Sequence, residues 1–366
     1  MSSSSVDLIA LLSACVDLGA FAGQVIRDVV ASGESLQTVN KADDGATASF
    51  DPQTIADTRA QQRIVESLRR HFGPKLIIVG EEGHLDPPAG EDVTTPCTSL
   101  LAATHPTAVP VDLEDLVVWI DPLDGTRKFT EKAYDDVSVL LGLSYRGRPI
   151  AGRHCPSFAT NCMALLRACA CHSYSVLNRL PSSKHDDHPP ILTSVMHQPF
   201  VGGGGGTTYY GGPAVDGIFR CHVVSPYTTH LFTWPAFERV PTGRATLSTR
   251  STPIVGHSES PCGHANAILP LLNMSTMAKG STGILLLDVA LGHIDVYFRY
   301  VHRTKRWDSC VGEAFLIVLG GVLTDRNGHL YDYSASGDHE NTAGIVASLD
   351  KSLHATVVAR VATYAS

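Results

Sequence analysis

The chain has 366 residues, 43% of them hydrophobic and 17% charged, with a formal net charge of -8. That is an ordinary globular composition with enough apolar area for two lobes, and it excludes the basic surface on which a nucleic-acid polymer binder relies. Nine cysteines without regular spacing point to a reducing, cytoplasmic setting and not to a disulfide scaffold.

No apolar run is expected to span a bilayer. Residues 1–23 lack a basic leader and carry Asp7 and Asp17 inside the apolar stretch, so they read as a helix and not as a signal peptide. Leu8, Leu11, Leu12, Cys15, Leu18, Ala22, Val25, Ile26 and Val29 recur at helical spacing. A second helix is expected to open at Asp51-Pro52, a cap followed by proline, and to stop at Gly73-Pro74. Residues 76–79 form a short apolar strand ending in Gly80-Glu81-Glu82. Residues 83–115, rich in Pro, Thr and Asp, read as a long surface excursion. A strand over 116–120 runs into WIDPLDGT, and a further strand covers 137–145.

The rhythm breaks over 153–194, which holds four cysteines and four histidines and ends polar and proline-rich. Its spacing matches no familiar zinc site, so a zinc-binding insert stands beside a plain insertion foreign to the fold. The glycine run 202–206 is a turn and not a phosphate loop, because no Lys-Ser or Lys-Thr follows it. Alternation resumes over 284–291, with a turn at Gly292 and a strand over 294–298. Trp307-Asp308 then opens an apolar helix that ends at Gly320-Gly321. Helices and strands alternating in both halves imply layered α/β packing.

Glu81, Asp121 and Asp308 arise where buried elements end, and Asp124 follows Asp121 by one turn. A carboxylate at such a place is costly unless it is paired or metal-bound. Each alone has a dull explanation: turn chemistry for Asp121 and Asp124, an N-cap for Asp308, a solvated loop for Glu81. Together they would repel one another unless cations lay between them, and hard oxygen donors of this kind suit magnesium. Pro122 stiffens the bend so that the Leu123 carbonyl can point inward. Gly125 and Thr126 expose backbone N–H groups at what reads as a helix start, a cradle for phosphate.

The motifs GEE (80–82), WIDPLDGT (119–126) and WDSC (307–310), in this order and separation, resemble the inositol monophosphatase superfamily of magnesium-dependent, lithium-sensitive phosphatases. QTIAD (53–57), GGVLTDRNG (320–328) and NTAGIVASL (341–349) are most similar to its 3′(2′),5′-bisphosphate nucleotidase branch. QPF (198–200) is shared with inositol polyphosphate 1-phosphatase. The resemblance implies a layered αβαβα sandwich of the inositol monophosphatase/fructose-1,6-bisphosphatase type. It divides the chain into an N-terminal α+β domain, 1–200, and a C-terminal α/β domain, 201–366.

It also implies two Mg²⁺ ions, with a third, weaker one in reach. Glu81, Asp121 and the Leu123 carbonyl would hold the first; Asp121, Asp124 and Asp308 would hold the second. Asp57 and Thr126 would orient or deprotonate the attacking water. Without the resemblance, Asp57 would pass for a solvated helix residue. Gly125, Thr126, His257, Gly280 and Ser281 would contact the substrate, although Leu285 stands where the nucleotidases carry a lysine, with Lys279 as a candidate replacement. The expected substrate is a small phosphate monoester, met by a monomer or homodimer in the cytoplasm with no membrane or nucleic-acid partner. The activity implied is removal of the 3′-phosphate of 3′-phosphoadenosine 5′-phosphate. An inositol phosphatase and a non-catalytic metal- or nucleotide-binding homologue are the alternatives.

Overall fold

The computed structural model describes residues 5–41, 51–88, 93–147, 193–224, 234–241, 250–259, 262–301 and 304–365. Nearly all of 153–194, with its cysteines and histidines, lies outside them, and so do the zinc and insertion readings.

Two sheets organise the chain. The larger has seven strands in the spatial order Glu238–Arg239, Gly217–His222, Thr207–Gly212, Thr193–Gln198, Ser138–Tyr145, Leu116–Asp124 and Ile77–Gly80. All its pairings are antiparallel except the last, in which Gly80 lies opposite Ile120 in a parallel ladder. The smaller has five strands, ordered Ser275–Lys279, Ile254–Ser258, Val296–Arg299, Ile345–Ser348 and Val322–Thr324.

Strand Leu116–Asp124 shows why the sequence reads as an unbroken apolar run there. Side chains alternate between faces, and both faces are covered. Leu116, Val118 and Ile120 enter the core shared with helices α1 (Leu8–Ser32) and α2 (Ile55–Phe72), whereas Val117 and Trp119 enter the core between the sheets. Helices Thr282–Leu291 and Arg306–Val318 fill that inter-sheet layer. Helices Gly263–Ile268 and Lys351–Ala365 cover the far face of the smaller sheet through Ile268, Val357 and Val361. The result is the expected αβαβα sandwich.

By length and composition α1 could cross a membrane, contrary to the expectation that no run was long enough. However, 83% of its most apolar window is buried inside the fold, which makes it a core helix. The expected start of α2 at Asp51-Pro52 is also corrected. Pro52–Gln53 pairs with Val39–Asn40 as a two-residue ladder, and Thr54 is the cap. Its hydroxyl accepts from the Ala56 N–H at 3.2 Å, while Asp57 Oδ2 accepts from the Thr54 N–H at 2.8 Å. This reciprocal capping box is legible in Thr54-x-x-Asp57, so the cap signal was there but was assigned to the wrong residue. Residues 284–291 belong to a helix, Thr282–Leu291, in which Thr282 through Ala290 are all buried.

Gly142 lets the inter-sheet layer close up. A Cβ built there would lie 2.5 Å from Cys310 Sγ, so only a glycine lets helix Arg306–Val318 approach the larger sheet this closely. That approach delivers the start of the helix to the end of strand Leu116–Asp124.

Candidate metal and catalytic site

The alternation that sends Val117 and Trp119 between the sheets sends Asp121 there too. A register shift between Asp121 and Asp124 then breaks the ladder, and the bend turns Asp124 toward the same layer. Helix Arg306–Val318 carries Asp308 in its first turn. One carboxylate oxygen from each of Asp121, Asp124 and Asp308 lies within 4.8 Å of the others, the only such acidic cluster among the described residues. Glu81 emerges beside Asp121 because the two strands are parallel and in register, and its N–H donates to the Ile120 carbonyl at 3.0 Å. Its side chain is held by the Lys41 ammonium at 3.0 Å, which also binds Glu82 at 2.6 Å.

The electrostatics are those of a cation site. Burial raises the Asp121 carboxyl well above its ordinary range, and the neighbouring charges of Glu81, Asp124 and Asp308 add to the shift. Burial likewise pushes Asp308 to about 7 and Asp124 to about 6. The carboxylate oxygens of Asp121, Asp124 and Asp308 lie within 4.8 Å of one another, too close for all three to carry charge without a cation or a proton among them. These residues fit a hard divalent ion: the donors are buried carboxylate oxygens gathered at one point, and an ion between them would offset their mutual repulsion.

Asp124 is fixed from behind. Its Oδ2 accepts from the Ser281 hydroxyl, from the Gly283 N–H at 2.9 Å and from the Ser138 hydroxyl at 3.0 Å. Ser281 and Gly283 belong to the start of helix Thr282–Leu291, so the smaller-sheet half of the chain grips a carboxylate carried by the larger sheet. A Cβ at Gly283 would stand 2.5 Å from that oxygen.

The Leu123 N–H donates to Asp121 Oδ1 at 3.0 Å, and the Leu123 carbonyl accepts from the Thr126 hydroxyl at 2.9 Å. The same hydroxyl lies 3.0 Å from Asp57 Oδ1. Asp57 is fully buried, and burial, with repulsion from Glu81 and Glu82, raises it to about 7 against the lowering effect of its Thr54 hydrogen bonds. Thr126 thus bridges the carbonyl at the bend to a carboxyl poised near neutrality.

The remaining expected contacts are more dispersed. Gly125 has φ +87° and opens the short helix Thr126–Thr130; a Cβ on it would meet the Asp136 carbonyl at 2.4 Å and Ser281 at 3.4 Å. Ser281 spends its hydroxyl on Asp124. Gly280 packs against the Lys128 side chain, whose ammonium binds Glu131 and Glu259. His257 lies beside that turn, opposite Ala278, with Nδ1 2.8 Å from the Ser258 carbonyl. Lys279 is ion-paired to Asp288 at 2.6 Å, and Leu285 is buried. A cavity of about 440 Å³ behind Glu81, lined by Gln61, Arg69, His84, Trp307 and His339 among others, is separate from the three aspartates.

Lys41, Thr54 and Ser138 were missed in the sequence. Only Thr54 left a signal, its capping-box spacing; the other two are recruited purely by tertiary contact.

The chain is similar to human 3′(2′),5′-bisphosphate nucleotidase 1, 29% identical across 95% of this chain and 94% of that protein. It is similar to the putative inositol monophosphatase 3 of Drosophila melanogaster, 26% identical across 95% and 80% respectively. Among solved structures its fold resembles Bacteroides thetaiotaomicron CysQ, described as a bacterial member of the inositol monophosphatase family. The TM-score is 0.56 at 18% identity, covering 94% of this chain and 99% of that one. The Thermotoga maritima IMPase gives a TM-score of 0.55 at 16% identity, covering 96% of each chain. The inositol monophosphatase family model matches residues 7–365, and the chain belongs to that family of phosphomonoesterases.

Proposed function

We propose that the chain is a magnesium-dependent phosphatase that removes the 3′-phosphate of 3′-phosphoadenosine 5′-phosphate, giving AMP and inorganic phosphate in the cytoplasm. The observation that carries the chemistry is the convergence of Asp121, Asp124 and Asp308, with the Thr126–Asp57 pair beside them. The choice of a nucleotide rests on similarity to the bisphosphate nucleotidase along nearly the whole of both chains.

In this reading Glu81, Asp121 and the Leu123 carbonyl hold one Mg²⁺, and Asp121, Asp124 and Asp308 hold a second. Bound there, magnesium supplies activation of the attacking water and stabilisation of the departing oxygen. The protein's own groups do the rest. The single proton of the Thr126 hydroxyl lies within reach of both the Leu123 carbonyl and Asp57; turned to Asp57, it leaves the hydroxyl oxygen to accept from the attacking water, whose proton passes through Thr126 to Asp57. Burial, which raises the Asp57 carboxyl above its ordinary range, suits it to accepting a proton. Gly125, with φ +87° and its Cα packed against the Asp136 carbonyl, makes the turn that presents the backbone N–H groups at the start of Thr126–Thr130 to the phosphate.

A second reading, an inositol phosphate as substrate, is favoured by one observation: Lys279 is committed to Asp288, and Leu285 is apolar, so neither offers a cation to a second phosphate. Phosphate release from 3′-phosphoadenosine 5′-phosphate, inositol 1,4-bisphosphate and inositol 1-phosphate, measured side by side with Mg²⁺ and with or without Li⁺, decides between them. The nucleotide is expected to turn over fastest. Faster release from either inositol phosphate would replace the first reading with the second, and no release from any would leave a non-catalytic binding protein.

A further inference from the structure

Asp308 is the one cluster carboxylate whose position depends on the end of a helix, and helix ends fray unless tied. Its Oδ2 accepts the Lys305 N–H at 2.5 Å, so the carboxylate is oriented by the backbone of Lys305. What holds Lys305 lies elsewhere in the chain, in a segment the reaction leaves unused. Asn341 is completely buried, and its side-chain amide and backbone N–H are directed at the residues that bracket Asp308. Its backbone N–H donates to the Thr304 carbonyl at 2.8 Å, and its amide nitrogen donates to the Lys305 carbonyl at 2.8 Å and to the Ser309 hydroxyl at 3.2 Å. Its amide oxygen accepts from the Arg306 guanidinium. Behind it the Tyr333 hydroxyl donates to the Glu313 carboxylate at 2.7 Å and lies 3.1 Å from Ser309 Oγ, and Tyr333 and Glu313 are themselves buried. The Arg306 guanidinium stacks over the Tyr331 ring at 4.3 Å and donates to the Asp332 carbonyl at 2.7 Å.

We propose that Asn341 is a positioning residue for metal binding: by fixing the backbone on both sides of Asp308, it sets the orientation of that carboxylate toward Asp121 and Asp124. A buried amide with all its valences directed at one short stretch does more than fill space. The groups that orient ligands from outside commonly govern affinity by about 10–100-fold. The inference rests on the magnesium reading above.

The test is calorimetric Mg²⁺ titration of the full chain, with thermal unfolding in EDTA run in parallel. Asn341→Asp keeps the oxygen that receives Arg306 but loses both amide donations. It is expected to unfold at a lower temperature in EDTA, because a carboxylate oxygen then faces the Lys305 carbonyl, and to bind Mg²⁺ about ten-fold more weakly or worse. Ser348→Ala removes a buried hydroxyl that donates to the Asp295 carbonyl at 2.7 Å in the same half of the molecule. It is expected to lower the unfolding temperature while leaving Mg²⁺ affinity unchanged. The proposal is overturned if Asn341→Asp binds Mg²⁺ like the unaltered chain, or if affinity merely tracks unfolding temperature across both variants. Failure of the unaltered chain to bind Mg²⁺ would instead remove the metal centre itself, and the inference with it.

Discussion

Asp124→Asn separates what the cluster costs from what it does. In the metal-free protein Asp124 has a pKa of about 6, against an ordinary value of 3.8, because burial penalises its charge more than its three donors relieve it. Folding therefore favours the protonated carboxyl. The stability this group contributes is complete below about pH 4 and is lost as pH rises through 6, so at pH 8 the full penalty is present. A shift of about two units corresponds to roughly 3 kcal/mol. Asparagine keeps an oxygen for Ser281, Gly283 and Ser138 and abolishes the charge, although its new amide protons lack partners at a cost of about 1 kcal/mol. The net gain is about 2 kcal/mol. With an unfolding entropy of about 2.1 cal/mol/K per residue, it should raise the melting temperature by about 2–3 °C. Magnesium reverses the order. At 100 times its dissociation constant it adds about 2.7 kcal/mol to the unaltered protein and little to the variant. Thermal unfolding at pH 8 should show Asp124→Asn melting higher in EDTA and lower in saturating Mg²⁺, with the EDTA advantage gone at pH 4. If the variant melts below the unaltered protein in EDTA at pH 8, Asp124 is not held as an uncompensated charge, and the electrostatic account of the site is wrong.

Gly283→Ala would press a methyl group onto the Asp124 oxygen and should cost about 1–3 kcal/mol while weakening Mg²⁺ binding; a melting temperature and Mg²⁺ affinity matching the unaltered chain would refute the close approach. Gly142→Ala should destabilise by a similar amount through Cys310 Sγ and Cβ, and Gly142→Ala with Cys310→Gly should cost less in chemical denaturation than the sum of the two single changes. Strict additivity would mean that the two residues do not meet.

Much of the site could be read before any coordinates. Trp119, Ile120 and Asp121 continue one alternation, so an acid was bound to leave the strand facing a buried layer. Asp308 likewise had to open the helix that follows. What could not be read was recruitment across the chain. Nothing local to Lys41 indicates that its ammonium will meet Glu81. Ser281 looks like part of a substrate turn until it is found donating to Asp124 from 157 positions away. Proline after aspartate gave Asp51 the look of a cap that Thr54 actually provides. The alternation expected over 284–291 misleads, because a helix enclosed between two sheets buries every side and loses the polar face that marks its period.

Strands Ser138–Tyr145 and Thr193–Gln198 are antiparallel neighbours, with Leu143 directly opposite Thr193. The chain therefore leaves and re-enters the middle of the sheet at the same end of its strands, where a tight hairpin would suffice. Closing a flexible connection of about 45 residues between these ends costs only about 2 kcal/mol more than closing a four-residue turn. Length can accumulate or vanish at that corner while the register stays put, which makes it the natural place to shorten the chain or graft a passenger without disturbing the aspartates.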